Sequence, residues 1–369
     1  MANKTARLGD LATYINGYAF KPADWGDTGL PIIRIQDLTG NSYQLNRYDG
    51  EYPERIEVND GDVLISWSAS LGVYVWQRGK ALLNQHIFKV FFDKLPVNKE
   101  YFVFAVEHKL AEMESKTHGA TMKHIVKKDF DGTTIPYPPI EKQAEIADHL
   151  RRITSLIDKQ TEQLLLLDQL VKSRFIELFG DPVRNSMGLP TEPMTTVCAI
   201  IDGDRGRNYP KQDEFSDTGY CLFLNAKNVT ATGFSFENRM FITKEKDNAL
   251  HNGKLERGDV VLTTRGTLGN LAFYDDSVPF ENVRINSGMV ILRMNKSVMT
   301  EVFFMEQFKL QLQSIKGKIA SGSAQPQLPI STMNKIRILL APMALQEQFA
   351  AFVEQTDKSK LCGKMEVAA

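Results

Sequence analysis

Side chains suited to metal or nucleophile chemistry are few and scattered in this chain. The six histidines are His86, His108, His118, His124, His149 and His251; none completes an HExxH pair or stands at zinc-site spacing from a cysteine. No GxxxxGK[ST] loop offers backbone N–H groups to a nucleotide's phosphates, and no glycine-rich strand–turn–helix fingerprint marks a S-adenosylmethionine or dinucleotide site. Glu107-His108-Lys109 has the outline of a nuclease Glu-x-Lys. It falls in a predicted helix with no acidic partner on a nearby strand, so it reads as a solvated helical face. Cys198, Cys221 and Cys362 include no CxxC pair, and an odd count of scattered cysteines predicts reduced thiols and not a disulfide framework.

Another chemistry is well represented. Reading a base edge in a DNA groove takes side chains with paired donors and acceptors: Arg for guanine, Asn or Gln for adenine. Phosphates take Lys, Arg, Ser and Thr. The first half of the chain groups such residues with aromatics in four predicted loops. They hold Lys21 (after Tyr18 and Phe20); Asn41, Gln44 and Arg47; Trp67 and Ser68; and Lys123. The second half offers Arg205, Arg207 and Lys211; Arg265 and Thr267; and Ser323, Gln325 and Gln327. Each of these is also ordinary loop chemistry when taken alone, and Trp67 suits a core as well as a DNA-facing loop. Arg265 stands out because it follows a predicted buried strand in a glycine-bounded loop.

The elements that carry these loops are duplicated. Asp27-Thr28-Gly29, leading into Ile32 to Leu38, recurs as Asp217-Thr218-Gly219 leading into Leu222 to Val229. Gly61-Asp62-Val63-Leu64-Ile65-Ser66, ending at Leu71-Gly72, recurs as Gly258-Asp259-Val260-Val261-Leu262-Thr263, ending at Leu268-Gly269. His118-Gly119 through Pro138-Pro139-Ile140 to Gln143 recurs as Ser321-Gly322 through Ala341-Pro342-Met343 to Gln346. The order is kept at an offset of roughly 190 to 200 residues, far beyond solenoid periods of about 20–50, so a whole domain is duplicated. Each Gly-Asp pair predicts a turn and each following apolar run a buried strand, with Gly72 and Gly269 as tight-turn positions. Helices are expected near Lys99–Lys116 and Thr300–Lys318.

Between the repeats, Glu141 to Gly180 has no proline and no glycine before Gly180. Ile146, Leu150, Ile153, Ile157, Leu164, Leu167, Val171 and Leu178 recur by threes and fours, a heptad stripe. A helix of about 38 residues would be about 57 Å long at 1.5 Å per residue. It should stop at Gly180-Asp181-Pro182. The leucine band Leu164 to Leu167 with Leu170 is wider than one partner helix needs, which predicts partner docking. A shorter stripe, Leu345, Phe349, Phe352 and Thr356, predicts a distal helix to about Leu361, broken by Gly363. Two antiparallel helices would hide each other's stripes. The expected fold is therefore α+β: two duplicated, mostly-β domains separated by long antiparallel coiled-coil helices. The expected boundaries are 1–140, a spacer helix 141–180, a linker 181–192, 193–343, and a distal helix and tail 344–369.

With this organisation the sequence resembles the specificity subunits of Type I restriction–modification systems. The resemblance rests on the Gly-Asp-Val strand with its Leu-Gly loop in each half, on Ile135-Pro136-Tyr137-Pro138-Pro139-Ile140-Glu141-Lys142-Gln143 at the helix entrance, and on Arg174-Phe175-Ile176-Glu177-Leu178-Phe179-Gly180-Asp181-Pro182 at its exit. It implies a non-catalytic subunit in which each globular domain reads one half of a bipartite, asymmetric double-stranded DNA target. It further implies helices that set half-site spacing and dock two DNA methyltransferase subunits, with motor–nuclease subunits completing the complex. S-adenosylmethionine, ATP and Mg²⁺ would then belong to those partners and not to this chain.

Charge cuts the other way. Lys+Arg number 44 and Asp+Glu 45, a net charge of −1, whereas a free-standing DNA binder commonly carries a basic excess. Basic residues must then be concentrated on one face, or partners must supply phosphate contacts. The rival readings are a coiled-coil scaffold that does not touch DNA and an uncharacterised DNA nuclease. The opening residues lack the apolar segment of a secretory signal and no apolar run approaches about 18 residues, so a cytoplasmic location without a membrane span is expected.

Overall fold

The computed structural model describes residues 4–41, 44–116, 126–320 and 327–368. The chain divides into two compact units, 1–158 and 159–369. No described helix is long and apolar enough to cross a membrane.

In the first unit a four-stranded antiparallel sheet runs in the order Thr13–Asn16, Ile87–Phe91, Val63–Ser66, Gly72–Val75. The second unit repeats it as Cys198–Asp202, Met289–Met294, Asp259–Thr263, Leu271–Tyr274. A second layer pairs Leu30–Ile33 in parallel with Ala81–Leu83, and, in the other unit, Cys221–Leu224 in parallel with Val283–Ile285.

The middle strand is buried at every position because it separates two cores. Side chains alternate across a strand. Val63 and Ile65 join Phe102, Val106 and Leu110 of the helix Lys99–Lys116, while Leu64 joins Ile32, Ile33 and Leu82 on the opposite side. Val260 and Leu262 likewise face Phe303, Phe304 and Phe308 of the helix Glu301–Ala320, and Val261 faces Leu222, Leu224 and Ile285. Covered on both faces, each strand is apolar through its middle, Val63–Ile65 and Val260–Leu262, and the buried polar residues at its ends, Ser66, Asp259 and Thr263, are all hydrogen-bonded.

The Gly-Asp turns form as expected. Gly61 and Gly258 have φ of +88° and +95°, and the following carboxylates accept the N–H groups of Asn59 (2.8 Å) and Glu256 (2.7 Å). Gly269 is left-handed at φ +79°, but Gly72 is not a turn residue: it opens the strand Gly72–Val75.

The long helix spans Ile140–Phe179, one residue outside its expected start, and Gly180 closes it at φ +77°. The distal helix corrects the sequence reading. It spans Met343–Ala368 and passes through Gly363. A lone interior glycine costs about 1 kcal/mol relative to alanine and, with no proline after it, does not stop a helix. In the second unit the two helices run antiparallel: Phe175 meets Phe349 with ring centroids 5.5 Å apart, and Lys360 pairs with Asp168 at 2.8 Å.

Candidate nucleic-acid interface

In each unit three elements meet at the end of the middle strand. In the first they are the strand end Asn16, the loop 67–70 and the turn 84–86. In the second they are Asp202, the loop 264–267 and the turn 286–288.

The scaffold of this junction repeats bond for bond. Ser66 Oγ donates to the carbonyl of Ser70, and Thr263 Oγ1 donates to that of Thr267 at 2.5 Å, so a hydroxyl at the strand end closes each loop. The loop tip turns through a left-handed residue in both, Ala69 at φ +59° and Gly266 at φ +70°. The N–H of Trp67 reaches the carbonyl of His86 (3.3 Å), and that of Thr264 the carbonyl of Gly288 (2.8 Å). The turn is tied to the second layer by Asn84 N–H to Ile33 O (3.1 Å) and Asn286 N–H to Leu224 O (3.2 Å). Gly17 and Gly203 let the chain press against this turn, since a Cβ at either would overlap the carbonyl of Asn84 or Asn286.

The side chains set on this common scaffold differ. In the first unit Trp67 is half-buried, stacks on Phe88 (5.5 Å), meets His86 edge-on (5.0 Å) and donates Nε1–H to Asn16 Oδ1 at 3.3 Å. Ser68 lies next to it, half-buried. In the second unit the corresponding residues are Thr264 and Arg265. Arg205 pairs with Asp202 at 3.0 Å and donates to the Ser287 carbonyl at 3.3 Å. Arg265 is exposed and, among the described residues, its guanidinium has no hydrogen-bond or ion-pair partner. Asp202, Arg205, Thr264, Arg265 and Gln327 line a cleft of about 300 Å³. Gln327 is held there by its neighbour, because Leu328 N–H bonds the Thr264 carbonyl at 3.1 Å.

The other candidates are spread more widely. Lys21 and Lys211 occupy matching positions before short 3₁₀ turns, where their N–H groups bond Asp24 (2.7 Å) and Glu214 (2.8 Å); both side chains are exposed. Arg207 and Thr267 are exposed as well, and Thr267 Oγ1 is 3.4 Å from the Ala226 carbonyl. Arg47 donates to the Gly29 carbonyl at 2.8 Å, Asn41 to Thr39 Oγ1 at 3.3 Å, and the Gln44 carbonyl accepts from Arg34 at 2.5 Å, so these three belong to the second layer's loops and not to the junction. Lys123, Ser323 and Gln325 lie outside the described residues. Sequence reasoning missed Asn16, Asp202 and the turns at 84–86 and 286–288. The paired Asn84 and Asn286 were the available signal.

Buried charges sustain the second unit's loops. Burial alone would raise the Asp204 carboxyl, but the N–H groups of Gly206, His251 and Asn252 outweigh it and hold it below the usual range. Cys198 and Cys221 are buried free thiols, each pushed up to about 12 by that burial, as inert core cysteines are. Lys109 of the Glu-x-Lys pairs with Glu112 along its own helix at 2.7 Å. Among the described residues no group of three or more His, Cys, Asp or Glu could hold a metal ion.

Along the long helix the stripe changes character. Val171 is buried, and Ile146, Leu164, Leu167 and Leu178 are half-buried. Leu150, Ile153 (53%), Ile157 and, beside the stripe, Leu166 (55%) and Leu170 are exposed.

A family model described as the Type I restriction modification DNA specificity domain matches residues 2–167 and again 195–363, once per repeat. The Type I restriction enzyme EcoBI specificity subunit of Escherichia coli is 29% identical over 317 residues, 78% of this chain. The chain spans 64% of that relative's length. The Type I restriction enzyme MjaVIII specificity subunit of Methanocaldococcus jannaschii is 24% identical, with 96% of this chain and 86% of the relative covered. The solved S subunit of a Type I system from M. genitalium shares the fold at a TM-score of 0.58 and 15% identity, over 99% of this chain and 92% of that one. A chain from a solved structure addressing complex assembly of the type I R-M system does so at 0.55 and 16%, over 99% and 92%. With both repeats matched and nearly the whole length covered, this chain belongs to the family of Type I restriction–modification DNA specificity (S) subunits.

Proposed function

We propose that this chain is the non-catalytic, sequence-reading subunit of a Type I restriction–modification complex. Each repeat contacts one half of an asymmetric, bipartite duplex site, with recognition domains at 1–140 and 193–343. The observation that carries this reading is the duplicated junction: the same loop closure and turn in both units, with half-buried Trp67 and Ser68 on one and, on the other, buried Thr264 followed by exposed Arg265. Two modules with one architecture and different targets need that combination. The exposed apolar residues of the long helix, among them Ile153 and Leu166, support docking of methyltransferase subunits there. Methyl transfer from S-adenosylmethionine, and any ATP- and Mg²⁺-dependent translocation and cleavage, then fall to partner subunits in the cytoplasm.

The test is co-expression with a DNA methyltransferase subunit of the same host, followed by methylation-sensitive sequencing of host DNA. An asymmetric two-part methylated motif that vanishes on deletion of this chain is expected. Methylation unchanged by the deletion, with the methyltransferase active, would sink the proposal.

A further inference from the structure

Resting on that reading, we infer that Arg265 reads a guanine in the half-site of the second domain, with Arg205 beside it directed at the DNA backbone. Several observations converge on these two arginines. The backbone of Arg265 is fixed, because its N–H bonds the Gly288 carbonyl at 3.2 Å and the loop is closed by Thr263. Its guanidinium is nonetheless exposed and unengaged among the described residues. The acid on the same cleft, Asp202, is taken by Arg205 at 3.0 Å, so no carboxylate there competes for the Arg265 fork.

A guanidinium on a fixed backbone, unpaired among the described residues, matches the O6 and N7 acceptors of guanine, which it can engage with two parallel hydrogen bonds. Arg205 is a different case. Held by Asp202 and the Ser287 carbonyl through one nitrogen, it offers no free fork. Its remaining N–H donors suit a phosphate, which imposes little geometry. In the first unit Ser68 occupies the place of Arg265. A hydroxyl cannot make the bidentate contact, so the two half-sites are read differently at this register.

The experiment uses the full chain in complex with its methyltransferase subunit, selecting from a duplex library randomised over both half-sites. Wild type enriches a two-part motif with a guanine that depends on Arg265. Arg265→Ala lowers the preference at that one base pair by on the order of ten- to a hundredfold and leaves the other half-site intact, which also shows that the variant is folded. Arg265→Gln moves the preference toward adenine. Ser68→Arg adds a guanine preference to the other half. Arg205→Ala weakens binding to all sequences alike and lowers the slope of log affinity against log salt by about 1. If the Arg265 variants keep the wild-type motif, change the other half-site, or weaken every sequence equally, Arg265 is not a base reader although the subunit reading stands. If wild type itself enriches no motif, the subunit reading fails and this inference goes with it.

Discussion

Gln143, in the first turn of the long helix, accepts the backbone N–H of Asn98 through Oε1 at 2.9 Å. Its Nε2 donates to the Pro138 carbonyl at 2.8 Å. Asn98 in turn caps the helix Lys99–Lys116, its Oδ1 accepting the Tyr101 N–H at 3.0 Å. The second unit repeats the arrangement, with Gln346 accepting the Thr300 N–H at 2.9 Å and donating to Ala341 and Val298. Both glutamines are buried, so Gln143→Leu or Gln346→Leu strands backbone groups away from water. A loss of about 1–3 kcal/mol is expected for each, seen as a lower urea midpoint. An unchanged midpoint would show that the amide is not the tie described.

The ion cluster of the second unit predicts a pH dependence. Burial alone would raise the Asp247 carboxyl, but Lys254 at 2.6 Å and Arg284 at 2.5 Å outweigh it and keep it below its ordinary 3.8. A carboxyl depressed in the folded state stabilises at pH values above its unfolded pKa of about 4, and that contribution fades as pH falls through the folded value. Asp247 is 1% exposed and Arg284 6%, so Asp247→Asn leaves a buried cation without its counter-charge. A cost of about 3–5 kcal/mol at neutral pH is expected, with the gap to wild type narrowing toward pH 3. Denaturation at the two pH values measures this. A gap that widens in acid contradicts the assignment.

Gly203 bears on the junction directly. An alanine there would overlap the Asn286 carbonyl, so the strand end must separate from the turn 286–288. Gly203→Ala is expected to lower stability by about 1–3 kcal/mol, as overpacking does. It should also weaken reading of the second half-site while sparing the first. Thermal melting and motif selection on the same preparation separate the two effects.

The exposed leucines of the long helix make the docking proposal testable. Leu166 is exposed, so Leu166→Asp should change the stability of the isolated chain by less than about 0.5 kcal/mol. Co-purification with the methyltransferase should fall sharply. Full retention of the partner by Leu166→Asp combined with Leu170→Asp would remove this face from the interface.

Much of the fold was legible because it is written twice. Val63 to Ile65 and Val260 to Leu262 are recognisable since the middle of a strand between two cores is apolar on both faces, and the Gly-Asp turns since only glycine adopts that φ cheaply. The parallel pairing of Leu30–Ile33 with Ala81–Leu83 was not legible, because no local pattern records which distant strand a buried run will join. The junction was half legible. Its loop tips announced themselves by residue type, but Asn16 and Asp202 stand in dissimilar sequence surroundings, and matched elements drift in offset where connecting loops differ in length. Gly363 misled because a glycine's cost is a matter of degree, and a helix of 26 residues absorbs it.

The hydroxyl closure of each loop bears on how such a protein can change its target. Ser66 and Thr263 grip the carbonyls of Ser70 and Thr267, which any amino acid would supply. Trp67 and Thr264 also hold the junction through their side chains, but Arg265 at the tip is bound into place through its main-chain N–H, and its side chain is excused from holding the loop together. Mutation of Arg265 is then nearly invisible to folding and fully visible to whatever the loop touches. New specificities at the loop tip are then within reach of single substitutions, without passing through unfolded intermediates.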